Sequence, residues 1–209
     1  MENVSASDPD AILVEQAKSG DYSAFEQLVI RHERRIYGLA VSILRNKEDA
    51  EEATQKSFLS SLEHLSSFRG DSFFGGWLSR IAANASLEIL RKRKNHLELA
   101  ESSGDRTDDG FPKPVFIADW TKDPVELAEL AETRQILDRA LDSIDAKYRA
   151  IFVLRDVEGM STEEAAAILG ISVANAKVRL LRARLLLREK LTVVFGDPAS
   201  RPRHEHHHD

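Results

Sequence analysis

Lys177, Arg179, Arg182, Arg184, Arg188 and Lys190 fall within the stretch 173–190, where Glu189 is the single anion. Cations two to four residues apart on a helix present donors that match phosphate oxygens, and Arg and Asn side chains can also read base edges. Val173, Ala176, Leu180, Ala183 and Leu187 recur at three- and four-residue steps in the same stretch, so one face is a core stripe and the cations point elsewhere. Just upstream, Ser161 and Glu164 have the spacing of a capping box, which starts a helix. Ala165, Ile168 and Leu169 supply its apolar face, Gly170 can close it in the left-handed conformation, and Ser172 can cap the helix that follows. Two short helices joined at a glycine, the second one basic, are the layout of a helix-turn-helix that reads duplex DNA. A surface helix kept soluble by its charges is the alternative reading of the same residues.

The formal net charge of −6 does not argue against DNA, because phosphate attraction depends on the local field. Between residues 126 and 164 ten acidic residues face five basic ones, and the sign reverses in the helix that follows. The chain has 209 residues, 42% hydrophobic and 31% charged, enough for one large or two small globular domains. It has no cysteine, which excludes disulfides, thiolate metal sites and cysteine nucleophiles and suits a reducing compartment. The opening MENVSASDPD is polar and acidic, and no apolar run approaches the roughly 20 residues of a membrane span. A cytoplasmic protein without membrane insertion is expected. No nucleophile–base constellation, phosphate-cradling glycine loop or metal-ligand spacing lies inside the folded segments, so neither catalysis nor a cofactor is expected.

The elements that must position these residues are helical throughout. Helical periodicity dominates, and the expected fold is all-α: two small helical domains joined by a flexible acidic linker. The expected divisions are a disordered stretch at 1–9, a bundle at 10–95, a linker at 96–124, the helix-turn-helix domain at 125–191 and an extension at 192–209. The linker gathers glycine, proline and serine, with seven acidic and three basic residues. In the bundle, Phe25, Leu28, Val29, Ile36, Leu39, Ala40 and Ile43 could line a core, and Asn46 could cap a helix whose first turns carry Asp49, Glu51 and Glu52. Further on, Phe68, Phe73, Phe74 and Trp77 precede Arg80, Arg91, Lys92, Arg93 and Lys94. Aromatics with cations suit stacked bases and phosphates of a single strand, although any one of these aromatics can instead belong to the core. Gly75 and Gly76 weaken a helix by about 1 kcal/mol each relative to alanine, which predicts a late or flexible helix start.

In their order, the segment DAEEATQKSF (49–58), the segment FRGDSFFGGWLSRIAANASLEILRKRK (68–94) and the C-terminal helix-turn-helix resemble the two-domain bacterial σ factors of the extracytoplasmic-function group. The resemblance spans most of 10–191 apart from the linker. It implies a σ2-like and a σ4-like domain and a dissociable subunit that brings core RNA polymerase to a promoter and helps open it. By this resemblance Asp49, Glu52, Gln55 and Phe58 contact core polymerase, with Arg34 and Arg35 adding to that surface. Lys56 departs from the acid that relatives commonly carry there.

The loop 68–72 would capture a flipped base of the minus-ten element through Phe68, Arg69, Asp71 and Asn84, with Trp77 partly structural. Arg80, Arg91, Lys92, Arg93 and Lys94 would hold phosphates. For the minus-thirty-five element the residues implied are Ser172, Ala174, Asn175, Val178, Leu181 and Arg182, with Lys177, Arg179 and Arg184 on phosphates. Val178 and Leu181 replace polar residues expected from relatives, which points to thymine-methyl readout or to a docking surface. The acidic linker, through Asp105, Asp108 and Asp109, would imitate RNA phosphates in a polymerase channel. An anti-σ factor, or the C-terminal extension in its place, is a further partner. His204, His206, His207 and His208 crowd the chain end and offer imidazole ligands to zinc, nickel or copper, against the reading of a floppy run without geometry. The alternative function is a dimeric helix-turn-helix regulator acting on duplex DNA without polymerase.

Overall fold

A computed structural model describes residues 8–100 and 131–195, with the side chains of 94–100, 131–134 and 193–195 left aside. Among the described residues the protein has eight α-helices and no strand. They are α1 (Ala11–Lys18), α2 (Tyr22–Leu44), α3 (Lys47–Glu63), α4 (Phe74–Ala100), α5 (Ala131–Asp142), α6 (Ala146–Phe152), α7 (Thr162–Leu169) and α8 (Val173–Phe195). No helix among them is long and apolar enough to cross a membrane. Most of the expected linker and of the C-terminal extension, the histidines included, lies outside the described residues.

Helices α1 to α4 form the first half. Helix α2 puts Leu28, Ile36, Leu39, Ala40 and Ile43 into its core, while Phe25 and Val29 are only partly covered. Its start is capped by Asp21, whose carboxylate accepts from the amides of Ser23 and Ala24 at 2.9 and 3.2 Å. Asn46 caps α3 by accepting from the Asp49 amide at 2.8 Å. Small buried residues, Ala50, Ala53, Ser57 and Ser61 on α3 and Ser79, Ala82, Ala83 and Ser86 on α4, let these helices pack closely. The hydroxyls of Thr54, Ser61 and Ser86 return to backbone carbonyls of their own helices at 2.7–2.8 Å, while the buried Ser79 hydroxyl has no hydrogen-bond partner among the described residues.

Of the stretch 1–9, expected to be disordered, residues 8 and 9 are tied to the bundle, and 1–7 lie outside the described residues. Asp8 accepts from the Phe74 amide at 2.6 Å and so holds the first turn of α4, and Pro9 accepts from Arg31 at 3.2 Å. Buried Asp10 takes Arg31 and, at 2.7 Å, His32. The glycine pair also differs from expectation. Both glycines lie inside α4, and a Cβ on Gly75 would sit 3.0 Å from His32 Cε1 and 3.2 Å from Arg35 Nη1. Gly75 therefore serves the close approach of α4 to α2, not a loose helix start.

Helices α5 to α8 form the second half around Ile144, Ile151, Leu154, Ala165, Ala176, Ala183 and Leu187. Beyond α6 the chain widens into a π-turn over Val153–Val157 before the left-handed Gly159, at φ 69°. The two halves pack against each other. Arg35 bonds Glu158 at 2.9 Å, Arg45 bonds Asp142 and, at 3.3 Å, Asp138, and Arg80 bonds Glu164. Arg149 of α6, 8% exposed, donates to the carbonyls of Ile43, Leu141 and Ile144 at 3.1–3.3 Å and so ties α2 to the second half.

Candidate nucleic-acid interface

The helix-turn-helix forms as its capping residues dictate. Ser161 Oγ accepts from the Glu164 amide at 3.1 Å, and Glu164 Oε2 accepts from the Ser161 amide at 2.8 Å. That backbone bond is the largest cause holding the Glu164 carboxyl below its ordinary range, with Ser161 Oγ and Arg80 adding to it against the opposing effect of burial. Gly170 closes α7 at φ 68°, and Ser172 Oγ accepts from the Asn175 amide at 3.2 Å to open α8. Ala165 and Ala166 are fully buried, which brings α7 close to α8.

On α8, Ala176, Leu180, Ala183 and Leu187 face the core, and Ala174, Asn175, Lys177, Val178 and Leu181 are exposed, as is Ser172 just ahead of the helix. Val178 is 48% and Leu181 60% exposed, an apolar pair inside an otherwise polar face. Arg179 Nε donates to Asn175 Oδ1 at 3.0 Å, which orients the Asn175 amide, and Arg182 is half-buried. Arg184, expected on a phosphate, is exposed and ion-paired. It grips Asp156 through two bonds of 2.6 and 2.8 Å, and that bonding raises its pKa further.

At the other end of the site, the structure corrects the role of Phe68. It is 7% exposed, packed edge-on against Phe74 at 5.9 Å and tilted on Trp77 at 5.1 Å, so it is core and offers no face to a base. Trp77 is half-buried in the same cluster, as its partly structural role requires. The exposed aromatic is Phe73, at 53%, beside exposed Arg69 and Asp71 in a loop turned by Gly70 at φ 77°. Asn84 is exposed, with Nδ2 donating to the Arg80 carbonyl at 3.0 Å.

The cations of α4 are mostly engaged. Arg80 meets Glu164, Arg91 reaches the Ile168 and Leu169 carbonyls at 3.5 Å, and Arg93 bonds Asp49 at 3.1 Å. Lys92 pairs with Glu88 at 3.0 Å, and the Lys94 side chain lies outside the described ones. Asp138, Glu158 and Glu164 of the second half thus sit on cations of the first.

Gln55 and Phe58 line a cleft of about 470 Å³ with Val29, Tyr37 and Leu59. Phe58, 9% exposed, is a wall of this cleft and not a projecting anchor, while its neighbour Leu59 projects at 57%. Glu52 and Arg34 are exposed, Asp49 is half-buried under Arg93, and Arg35 is turned to Glu158. Lys56 does not simply face water. It donates to Glu88 at 2.5 Å, and Lys56 first, then Lys92, hold the Glu88 carboxyl down at about 2.

Sequence reasoning named Phe73 among the candidate stacking aromatics without separating it from its neighbours, and missed Leu59 and Arg149 as site or linking residues. Phe73 and Leu59 each adjoin a more buried aromatic, and helical phase alone separates the outward member of such a pair. No local signal marks Arg149, whose partners lie on other segments.

Comparisons with known proteins agree with this geometry. Residues 28–96 match the family described as sigma-70 region 2, and residues 134–187 match sigma-70 region 4. The chain is 33% identical over 187 residues to the ECF RNA polymerase sigma-E factor of Salmonella typhimurium, covering 87% of this chain and 94% of that one. It is 35% identical over 182 residues to the ECF RNA polymerase sigma factor SigM of Mycobacterium tuberculosis, covering 87% and 84%. Among solved structures it resembles the sigma factor RpoE of Bartonella quintana, crystallised with the anti-sigma factor NepR, at TM-score 0.56 and 26% identity, covering 81% and 98%.

Proposed function

This chain belongs to the extracytoplasmic-function group of sigma-70 RNA polymerase sigma factors, and from that premise we infer how its surfaces divide the work of transcription initiation. The reading rests on one observation: a single chain carries, in order, the cleft at Gln55, an exposed aromatic ahead of the cationic helix α4, and a helix-turn-helix. Residues 10–95 bind core polymerase and the minus-ten element, and residues 125–191 bind the minus-thirty-five element. The protein catalyses no covalent step of its own and works in the cytoplasm as a dissociable specificity subunit.

Core polymerase docks on α3 through Asp49, Glu52 and Gln55, with the 470 Å³ cleft receiving an apolar side chain beside Leu59. Arg34 adds charge to that surface. In the melting step Phe73 stacks on an unpaired base, Arg69, Asp71 and Asn84 address its edges, and Arg80, Arg91, Lys92, Arg93 and Lys94 hold phosphates. Asn175 and Arg182 read base edges upstream, and Val178 and Leu181 touch thymine methyls. Lys177 and Arg179 anchor the backbone. Anti-σ factors are partners of the resembled RpoE structure, and one is expected here, its target the same two halves.

Binding of fluorescent core polymerase tests the first assignment. The double substitution Glu52→Lys with Gln55→Lys weakens core affinity at least tenfold while duplex binding by the isolated protein is unchanged. Equal core affinity in the double variant would remove α3 from the polymerase surface.

A further inference from the structure

A cleft of about 880 Å³ lies where the two halves meet, between the ends of α2 and α4 on one side and α6, the end of α7 and the start of α8 on the other. Six cations line it, Arg45, Arg91, Arg93, Lys147, Arg149 and Arg179, against two carboxylates, Asp142 and Asp145. Of the six, Arg45 is held by Asp142 in the cleft and by Asp138 beside it, and Arg93 by Asp49 at 3.1 Å outside the cleft lining. Arg149 is almost fully buried, and its hydrogen bonds go to three neutral carbonyls. Its charge is solvated by dipoles and not cancelled by an ion pair. Burial first, and then Arg45, push its pKa down against the raising effect of Asp142 and Asp145. Arg91 touches carbonyl oxygens at the 3.5 Å limit, and Arg179 bonds the neutral Asn175. Cations converging from both sides of a cleft with apolar walls concentrate a field that draws anions, and guanidinium forks match phosphate oxygens.

We propose that this cleft binds a small polyphosphate, such as a nucleoside polyphosphate or an inorganic polyphosphate chain, which bridges cations of the two halves. Leu87, Leu90 and Leu169 line the same space and give a base an apolar wall, so a nucleoside polyphosphate fits better than a bare chain. The bound anion holds the halves together. It also occupies Arg91, Arg93 and Arg179, so it competes with promoter DNA, a consequence that rests on the phosphate roles proposed above.

Calorimetric titration of the full chain with GTP and with inorganic tripolyphosphate, each against sodium sulfate at equal ionic strength, tests the site directly. Both polyphosphates are expected to bind at least tenfold more tightly than sulfate, with GTP the tighter if the base rests on the leucine wall and equal affinity if the phosphates alone are held. Lys147→Glu, outside the polymerase and promoter surfaces, weakens binding at least tenfold and keeps promoter-directed transcription. Asp142→Asn, which removes a carboxylate and releases Arg45, tightens binding several-fold, the opposite of what structural damage would do. Polyphosphate binding no tighter than sulfate, or unchanged by Lys147→Glu, overturns the proposal. Binding that persists without displacing duplex promoter DNA leaves the site standing and instead withdraws the phosphate roles of Arg91, Arg93 and Arg179.

Discussion

Neighbouring aromatics divide the labour around the melting loop. Phe68 is sealed against Phe74 and Trp77, and truncating it to alanine is expected to cost about 3–5 kcal/mol of stability in denaturant melts. Phe73 is half in water, so Phe73→Ala should leave the melt within about 0.5 kcal/mol of the parent while promoter opening, followed by permanganate reactivity of the minus-ten thymines, falls at least tenfold. A collapsed melt for Phe73→Ala would place it in the core after all. On α8, Val178→Ser with Leu181→Ser should likewise spare stability and shift the preferred minus-thirty-five sequence, measured by selection from a randomised duplex pool. An unchanged selected sequence would remove methyl readout. The cationic segment was legible in the sequence as a nucleic-acid surface, but which aromatic faces outward was not, because composition does not set the phase at which a loop enters a helix.

Helix boundaries follow capping chemistry that can be read in one dimension. Ser161, Glu164, Gly170, Ser172 and Asn46 all act in the structure as their types and spacing predict. Ser161→Ala should cost about 1 kcal/mol of stability. The same box has a pH signature. The Glu164 carboxyl is held below its ordinary value of 4.5, chiefly by the Ser161 amide, so its contribution is whole above that value and is lost as acid protonates the folded state. Stability profiles between pH 7 and pH 3 should therefore fall less steeply for Glu164→Gln than for the parent, and parallel profiles would contradict the linkage. Packing of one helix on another was less legible. Gly75 read as a helix breaker, whereas the space it leaves is filled by His32 and Arg35 of α2, which no local pattern announces.

At the scale of the whole molecule, the two halves are in contact through Arg35, Arg45, Arg80 and Arg149, an arrangement that the sequence left open. These partners are far apart in sequence and come from helices whose separate patterns say nothing about each other. Exposed ion pairs of this kind contribute roughly 0–1 kcal/mol each, so the buried Arg149 is expected to matter most. Arg149→Ala strands three carbonyls and should lower stability by about 3 kcal/mol in a denaturant melt. The contact also engages Arg80 and Arg91, two cations proposed for promoter phosphates. Glu164→Lys should loosen it, raising the radius of gyration in small-angle scattering and strengthening DNA binding several-fold at low salt; an unchanged radius would show that the contact does not depend on this pair.

The central claim is that one chain directs core polymerase by holding two promoter elements at once. Run-off transcription with core RNA polymerase on a promoter library, with and without this protein, tests it most directly. Selective initiation from templates sharing paired upstream and downstream elements, lost when either element is scrambled, is the predicted result. Duplex binding without any core-dependent initiation would contradict it.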